Sequence, residues 1–294
     1  MSNLSRRNFI KAGVAAGALA TTTSLPLHAA TDAATEWVAL GNSGVKVTRL
    51  AFGTGTHGGR VQQNLGQQGF TRLVRYAYDH GIRFFETAEA YGDSQQMLGV
   101  ALKGLPRDSY RLMTKVTTWD PGDPADRLDQ LLKNSDTEYF DIMLLHVQTS
   151  PTWPEDTKNW QDAINEAQEK KKIIARGASI HGLPALNLVP QNPWLQVAMI
   201  RMNQKGVSMD GANPFGGGLG DVPVVVEHVK QTIASGKGVI SMKLVGEGRF
   251  TTREDRQKSM QFAFRHAGVD AVTVGYKNTS EIDEAIENIN LAFA

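Results

Sequence analysis

The sequence predicts a closed (β/α)8 barrel with an N-terminal β-hairpin, and three observations carry that prediction. Short apolar runs alternate with helix-length segments along most of the chain, giving eight strand–helix units. No linker or break in composition divides them, so the 294 residues, 41% hydrophobic and 21% charged, suit one large domain. No glycine-rich dinucleotide fingerprint is present, which points away from an open doubly wound sheet and toward closure.

The hairpin comes first. Glu36–Leu40 and Val45–Val47 flank Gly41-Asn42-Ser43-Gly44, a glycine-bearing turn between two apolar runs. The first unit pairs a strand over Leu50–Gly55 with a helix over Phe70–His80 that stops at Gly81. The second has a strand over Phe84–Ala88 and a helix over Gln95–Lys103; the third, Tyr110–Val116 and Pro124–Asn134; the fourth, Phe140–Val147 and Asn159–Lys171. The fifth strand is Ile173–Ile180, followed by a weak helical piece over Leu183–Leu188. The sixth strand, Leu195–Met202, precedes a glycine-rich loop over Gly211–Gly220 and a helix over Val224–Ala234. Gly238–Leu244 and Arg253–His266 form the seventh unit, and Ala271–Gly275 and Glu281–Ala292 the eighth.

Residues 1–30 stand apart from this pattern, and 31–294 are expected to form the barrel domain. Arg6-Arg7 precedes Asn8-Phe9-Ile10-Lys11, a mildly apolar run to Leu27, and the small residues Ala29 and Ala30. The run is too short and too rich in Ala, Gly and Thr for a membrane-spanning helix, so no stable membrane anchor is expected. The segment resembles a twin-arginine export signal, which implies recognition by the twin-arginine (Tat) machinery and a periplasmic destination. Removing it takes away Arg6, Arg7 and Lys11 and no acid, so the formal charge of +1 becomes −2. Neither value gives the basic surplus that nucleic-acid binding needs. The absence of cysteine excludes disulfides and thiolate metal ligands.

In a barrel, chemistry collects at the C-terminal strand ends. Glu86, Tyr91, Lys115 and His146 fall at, or just past, the ends of the second, third and fourth strands, and adjacency brings them to one mouth. A carbonyl that accepts hydride develops alkoxide character and needs a proton. Tyr91 can give it if the Lys115 ammonium lowers the phenol's pKa. Glu86 would hold Lys115 charged and oriented, and His146 would donate a hydrogen bond to the carbonyl oxygen. Trp119 and His181 follow the third and fifth strands and are candidates for a substrate pocket, with Trp153 and Phe215 as further apolar walls. His57, Glu89, His181 and His266 show no metal-ligand spacing, and no metal is assigned.

The segments Phe52-Gly53-Thr54-Gly55, Phe84-Phe85-Glu86-Thr87-Ala88 with Tyr91-Gly92, Leu98-Gly99 with Ala101-Leu102, Thr114-Lys115, Asp141–His146 and Arg176-Gly177-Ala178-Ser179 occur in order and spacing as in the aldo-keto reductases. Together with the hairpin, the chain resembles that family over residues 36–290. The resemblance implies a barrel, usually monomeric, that binds NADP, with NAD also possible, and acts on a small carbonyl or alcohol substrate. It implies catalytic roles for Tyr91, Lys115, His146 and Glu86, although the family's acid is an aspartate. It also implies cofactor contacts from Gly53, Thr54, Ser179 and Asn203, and from a loop carrying Lys243, Gly246, Gly248 and Arg249. Lys277 and Asn278 would serve a phosphate at the start of the last helix, and Glu287 and Asn288 the adenine. Ile180 and Met199 stand where the family usually has Asn and Gln for the nicotinamide carboxamide, and Asp283 where it commonly has an arginine. These departures leave a second reading open: an exported barrel without catalysis that binds a ligand in the periplasm.

Overall fold

The computed structural model describes residues 32–211 and 218–294; the leader expected over residues 1–30 and the expected pocket residue Phe215 lie outside them. The hairpin is formed by β1 (Trp37–Ala39) and β2 (Lys46–Thr48), which pair antiparallel. Eight further strands follow: β3 (Leu50–Gly53), β4 (Phe84–Glu86), β5 (Arg111–Val116), β6 (Phe140–Gln148), β7 (Ile173–Ile180), β8 (Val197–Arg201), β9 (Gly238–Met242) and β10 (Ala271–Gly275). They run in chain order as parallel neighbours, and β10 pairs with β3 to close the barrel. The helices are α1 (Arg60–Gln63), α2 (Gly66–Asp79), α3 (Ser94–Leu102), α4 (Pro124–Asn134), α5 (Trp153–Asp156), α6 (Lys158–Glu169), α7 (Leu183–Leu186), α8 (Val222–Ala234), α9 (Arg253–Gln261) and α10 (Thr279–Phe293).

Local chemistry sets the helix starts. Asp123 accepts hydrogen bonds from the amides of Ala125 (2.9 Å) and Asp126 (3.2 Å), and Pro124 opens α4 at a position that needs no donor. Asp221, Thr252 and Asn278 cap α8, α9 and α10 in the same way. The helix expected over Arg253–His266 is α9 continued by a π-helical turn, Phe262–Ala267, which ends at Gly268. The helical piece expected after the fifth strand is the single turn of α7, and α1 and α5 are short turns that the apolar period does not signal.

Strand alternation makes two cores. Outward side chains pack beneath the helices, where Leu73, Val74 and Ala77 of α2 and Leu128 and Leu131 of α4 are buried. Inward residues Ala51, Phe84, Met113, Ile142, Leu144, Ala175, Val197, Met199, Ile240, Met242 and Ala271 fill the barrel. Leu40, Val45 and Val47 of the hairpin join this inner cluster. The hairpin therefore plugs the N-terminal end, tied by Asn42 N–H donating to the Gly236 carbonyl (2.7 Å) ahead of β9. With that end filled by apolar side chains, the polar inward residues are left at the opposite mouth. One aromatic residue expected at the mouth lies elsewhere: Trp153 is buried in the outer core. Among the described residues no helix is long and apolar enough to cross a membrane.

Leu40 is fully buried, so Leu40→Ala leaves a cavity in the plug. The expected cost is about 2–5 kcal/mol of unfolding free energy, measured by urea denaturation.

Candidate active site

Period two along each strand decides which side chains reach the mouth. Phe84 belongs to the inner core, so Glu86, two residues on, points inward one layer higher. Met113 and Lys115 repeat the relation on β5, and Ile142, Leu144 and His146 on β6. Lys115 Nζ donates to a Glu86 carboxylate oxygen, to the Thr87 carbonyl (2.9 Å) and to Tyr91 Oη (3.2 Å). The other Glu86 oxygen accepts from Thr273 Oγ1 on β10 at 3.2 Å. Lys115 is fully buried and Glu86 nearly so. The longer acid fits because Gly53 faces it: a Cβ there would stand 3.0 Å from the carboxylate and 2.6 Å from Thr273 Oγ1.

Tyr91 reaches this pair from the loop after β4. Its ring lies over Gly55, where a Cβ would come within 2.4 Å of it, and Lys115 Nζ sits 4.6 Å from the ring centre. The loop itself is fastened by Glu89. One Glu89 oxygen accepts from the amide (2.8 Å) and hydroxyl (2.7 Å) of Thr117, just past β5, and the other pairs with Arg127 of α4. Arg127 also donates to Thr117 Oγ1 at 2.9 Å. Glu89 thus joins the Tyr91 loop to the segment carrying Trp119. The sequence gives no sign of this contact, because nothing local links Glu89 to Arg127.

His146 is buried on β6, its ring edge-on to Tyr91 at 5.5 Å and tilted against the half-exposed Trp119 at 6.1 Å. The next residue, Val147, has φ 54°, a left-handed conformation costly for a β-branched side chain. Its amide donates to Ser179 Oγ at 2.9 Å. His146 Nδ1 is buried without a hydrogen-bond partner. Burial, then the charges of Lys115, His181 and Lys243, holds the imidazole pKa well below its ordinary value. His181 is depressed in the same direction, by burial and then Arg201, Lys243 and Lys115. Burial also lowers the Lys115 pKa despite Glu86. The Tyr91 phenol departs from expectation: burial, and then the carboxylates of Glu86 and Glu247, raise its pKa well above 10.0. Lys115 stands close, but its charge is balanced by the nearer Glu86.

Beside this cluster lies a cavity of about 80 Å³, bounded by Gly53, Glu86, Tyr91, Met199, Lys243 and Glu247. It adjoins a larger one of about 460 Å³ that shares Thr56, Val245, Glu247, Val274 and Gly275 and runs to the start of α10. Lys243, φ 66°, and Glu247, φ 55°, form an ion pair beside the junction, and Ser208 Oγ donates to Glu247 at 3.0 Å. Gly248, Lys277 and Asn288 line the larger cavity. Asn278 caps α10, and Gly246 is buried beneath the loop.

Several residues expected at a cofactor are committed elsewhere. Asn203 uses its amide on Val207 and Lys243 carbonyls and its oxygen on the amides of Lys205 and Val207. Ser179 accepts from Val147, and Thr54 donates to Thr87 Oγ1 at 3.0 Å, linking β3 to β4. Arg249 is exposed and outside both linings, and Glu287 pairs with Arg253 at the surface. Asp283, expected to face a phosphate, accepts from Tyr76 on α2 (2.8 Å); Glu281 and Glu284 line the cavity instead. Sequence reading also misses a buried pair at the mouth: Arg201 Nη2 lies 2.6 Å from Asp210 Oδ1, which also accepts from the Gly182 amide. Its signal is the alternation Val197, Met199, Arg201 on β8. Among the described residues no group of His, Asp and Glu could hold a metal ion.

Residues 3–23 match the model of the TAT (twin-arginine translocation) pathway signal sequence, which indicates export across the cytoplasmic membrane. The chain is 28% identical over 227 residues to a Glycine max protein named "Probable aldo-keto reductase 1", a match covering 68% of this chain and 65% of that one. It is 25% identical over 281 residues to L-galactose dehydrogenase of Arabidopsis thaliana, covering 84% and 86%. A Klebsiella pneumoniae aldo-keto reductase solved in complex with NADPH shares the fold, with a TM-score of 0.63, 18% identity and 84% and 87% coverage. Residues 49–289 match the model of the Aldo/keto reductase family, and with its eight-stranded barrel the chain belongs to that family of NAD(P)-dependent oxidoreductases.

Proposed function

We propose that residues 1–30 are an export leader and that residues 31–294 form an oxidoreductase that works in the periplasm. It transfers hydride between a nicotinamide dinucleotide and the carbonyl carbon of an aldehyde, ketone or sugar, or runs the reverse reaction on the alcohol. NADP is the form the family resemblance implies, with NAD the alternative. One observation carries the reading: Lys115 Nζ bridges the Glu86 carboxylate and Tyr91 Oη beside a cavity at the barrel mouth.

Two adjoining cavities and the chemistry of their lining support such a cofactor. They run from Tyr91 to the capped start of α10, and two buried polar atoms of their lining, Asn288 Oδ1 and Tyr276 Oη, lack partners. Bound reduced nicotinamide would supply the hydride. Met199 gives its end of the groove an apolar floor. Tyr91, its proton held tightly by burial, donates from Oη to the carbonyl oxygen as negative charge builds there. Lys115, 3.2 Å away, stabilises the phenolate left behind. Glu86 keeps Lys115 charged against its desolvation. His146, neutral because its pKa is depressed, orients the same oxygen with an N–H. The half-exposed Trp119 and His181 border the substrate side.

A specific observation favours the non-catalytic alternative: Asn203 and Ser179 are spent on neighbouring backbone groups, and Ile180 is buried. Failure of the purified protein to bind either reduced dinucleotide would decide for that reading.

Tyr91→Phe is expected to lower kcat for carbonyl reduction by at least about 10²-fold, read from the loss of reduced-nicotinamide absorbance, with dinucleotide affinity retained. Glu86→Gln leaves a buried ammonium without its counter-charge. It should cost about 3–5 kcal/mol of stability and a comparable loss of turnover, measured by denaturation and steady-state kinetics on one preparation. His146 and His181 have folded pKa values below 6.5, so the unfolded chain takes up more protons as pH falls. Stability should be full above pH 6.5 and decline as pH drops toward the folded values, and His181→Asn should flatten that decline in thermal melts.

A further inference from the structure

The peptide unit that follows His146 is held at both ends by side chains. The register of β6 on β7 shifts here: Leu145 lies opposite Ala178 and Gln148 opposite Ile180, so three steps on one strand match two on the other. The extra residue makes a bulge, a device that re-aims a side chain at a sheet's end. Within it Val147 takes a φ of 54°, where a β-branched residue is strained. The His146 carbonyl accepts from Gln148 Nε2 at 2.8 Å, and the Val147 amide donates to Ser179 Oγ at 2.9 Å. That carbonyl and that amide are the two ends of one planar unit, so the two bonds together fix its rotation. Gln148 and Ser179 are both buried. Gln148 is anchored in turn to the end of β7, because its own carbonyl accepts from the His181 amide at 2.8 Å.

Val147 would relax most simply by rotation of this peptide toward negative φ. Such strain persists only where the surroundings over-determine it. The same rotation changes ψ of His146, and the backbone angles decide which rotamers its ring can take. The ring lacks a tether of its own at one nitrogen: among the described residues nothing bonds the buried His146 Nδ1. Its edge-on placement 5.5 Å from Tyr91 therefore depends on packing against Trp119 and on the backbone that carries it.

We propose that Gln148 is a positioning residue: with Ser179 it locks the strained His146–Val147 peptide, and the lock aims the His146 ring at the reacting oxygen beside Tyr91. The inference rests on the role given to His146 under the proposed function and adds two residues that act through it. Ser179 then serves the Val147 amide, a task distinct from the cofactor contact that the resemblance implies.

The test is a double-mutant cycle on the purified protein. Gln148→Leu keeps the bulk and loses the donor, and it is made in the wild-type chain and in His146→Ala. Reduction of p-nitrobenzaldehyde at saturating reduced dinucleotide gives kcat. NMR of the histidine ring nitrogens in isotopically labelled protein reports the ring itself, with the His146 signal identified by its loss in His146→Ala. Gln148→Leu should lower kcat by about ten- to a hundredfold in the wild-type chain and by less than about twofold in His146→Ala, and should displace the His146 signal. Similar losses in both backgrounds, or an unmoved signal, overturn the proposal. If Gln148→Leu does not fold, Val147→Gly takes its place: glycine removes the strain, so Tm should hold or rise while kcat falls and the signal moves. A held Tm with kcat and signal both unchanged overturns the lock. An unchanged kcat in His146→Ala overturns both the lock's purpose and the role of His146. The ring signal does not depend on activity, so a chain that reduces no carbonyl sinks the proposed function while a displaced signal still supports the lock.

Discussion

A lysine ammonium buried in the mouth of a barrel is the constraint on which the rest depends. Taking such a charge out of water costs several kcal/mol, and it stays charged only if close partners replace the lost hydration. Lys115 has three: the Glu86 carboxylate, the Thr87 carbonyl and the Tyr91 hydroxyl. Each partner imposes a demand on another element. Glu86 needs Thr273 on β10 and a glycine at position 53 on β3; Tyr91 needs a glycine at position 55. Four strands and a loop are therefore fixed by one cation. The pair adds little net stability. What it gives is a unique arrangement of the mouth.

That arrangement would fail if the Tyr91 loop were free. Loops are the least ordered parts of such barrels, and a misplacement of about 1 Å is costly in catalysis. Here the backbone after β4 continues to pair with β5 through Thr87 and Glu89 amides. Glu89 then takes Thr117 and Arg127, while Gln63 donates to the Tyr91 carbonyl at 2.6 Å. Two further ion pairs, Lys243–Glu247 and Arg201–Asp210, stiffen the loops after β9 and β8. The mouth carries several charges, and most of them are matched in pairs.

Much of this was legible in the sequence because strand geometry is periodic. Once Phe84, Met113 and Leu144 are inward, Glu86, Lys115 and His146 must follow, and the eight-unit barrel with its hairpin follows from the alternation of apolar runs. The same rule applied to β8 would have found Arg201. What periodicity cannot give is contact between loops: Glu89 and Arg127 are 38 residues apart, and only the fold brings them together. Helix faces are the second limit. Counting six residues on from Lys277 selects Asp283, but each helical residue turns by about 100°, so Asp283 meets Tyr76 and Glu284 meets the groove. The third is electrostatic summation. One nearby cation lowers a phenol's pKa, and the sum of burial with the Glu86 and Glu247 carboxylates raises it.

The two ends of the groove differ in how they treat polar groups, and the difference bears on function. At the Tyr91 end, Met199 stands where an amide is usual in the family, while Ile180, the other such departure, is buried in the outer core; beside them Ser179 accepts from Val147, and Asn203 is paired with Val207 and Lys243. Replacing a polar contact by matched apolar groups can be nearly neutral, so an apolar floor there is not in itself decay. His146 Nδ1, on the residue that faces Tyr91, is a polar atom left over at that end. At the α10 end, Asn288 and Tyr276 keep polar atoms unmet in the lining of the larger cavity. A barrel that had relaxed into a purely structural role would gain by filling or pairing such groups, and by replacing Lys115 with an apolar side chain. The costs sit where a reacting oxygen and a base would offset them, which is the physical case for catalysis over scaffold.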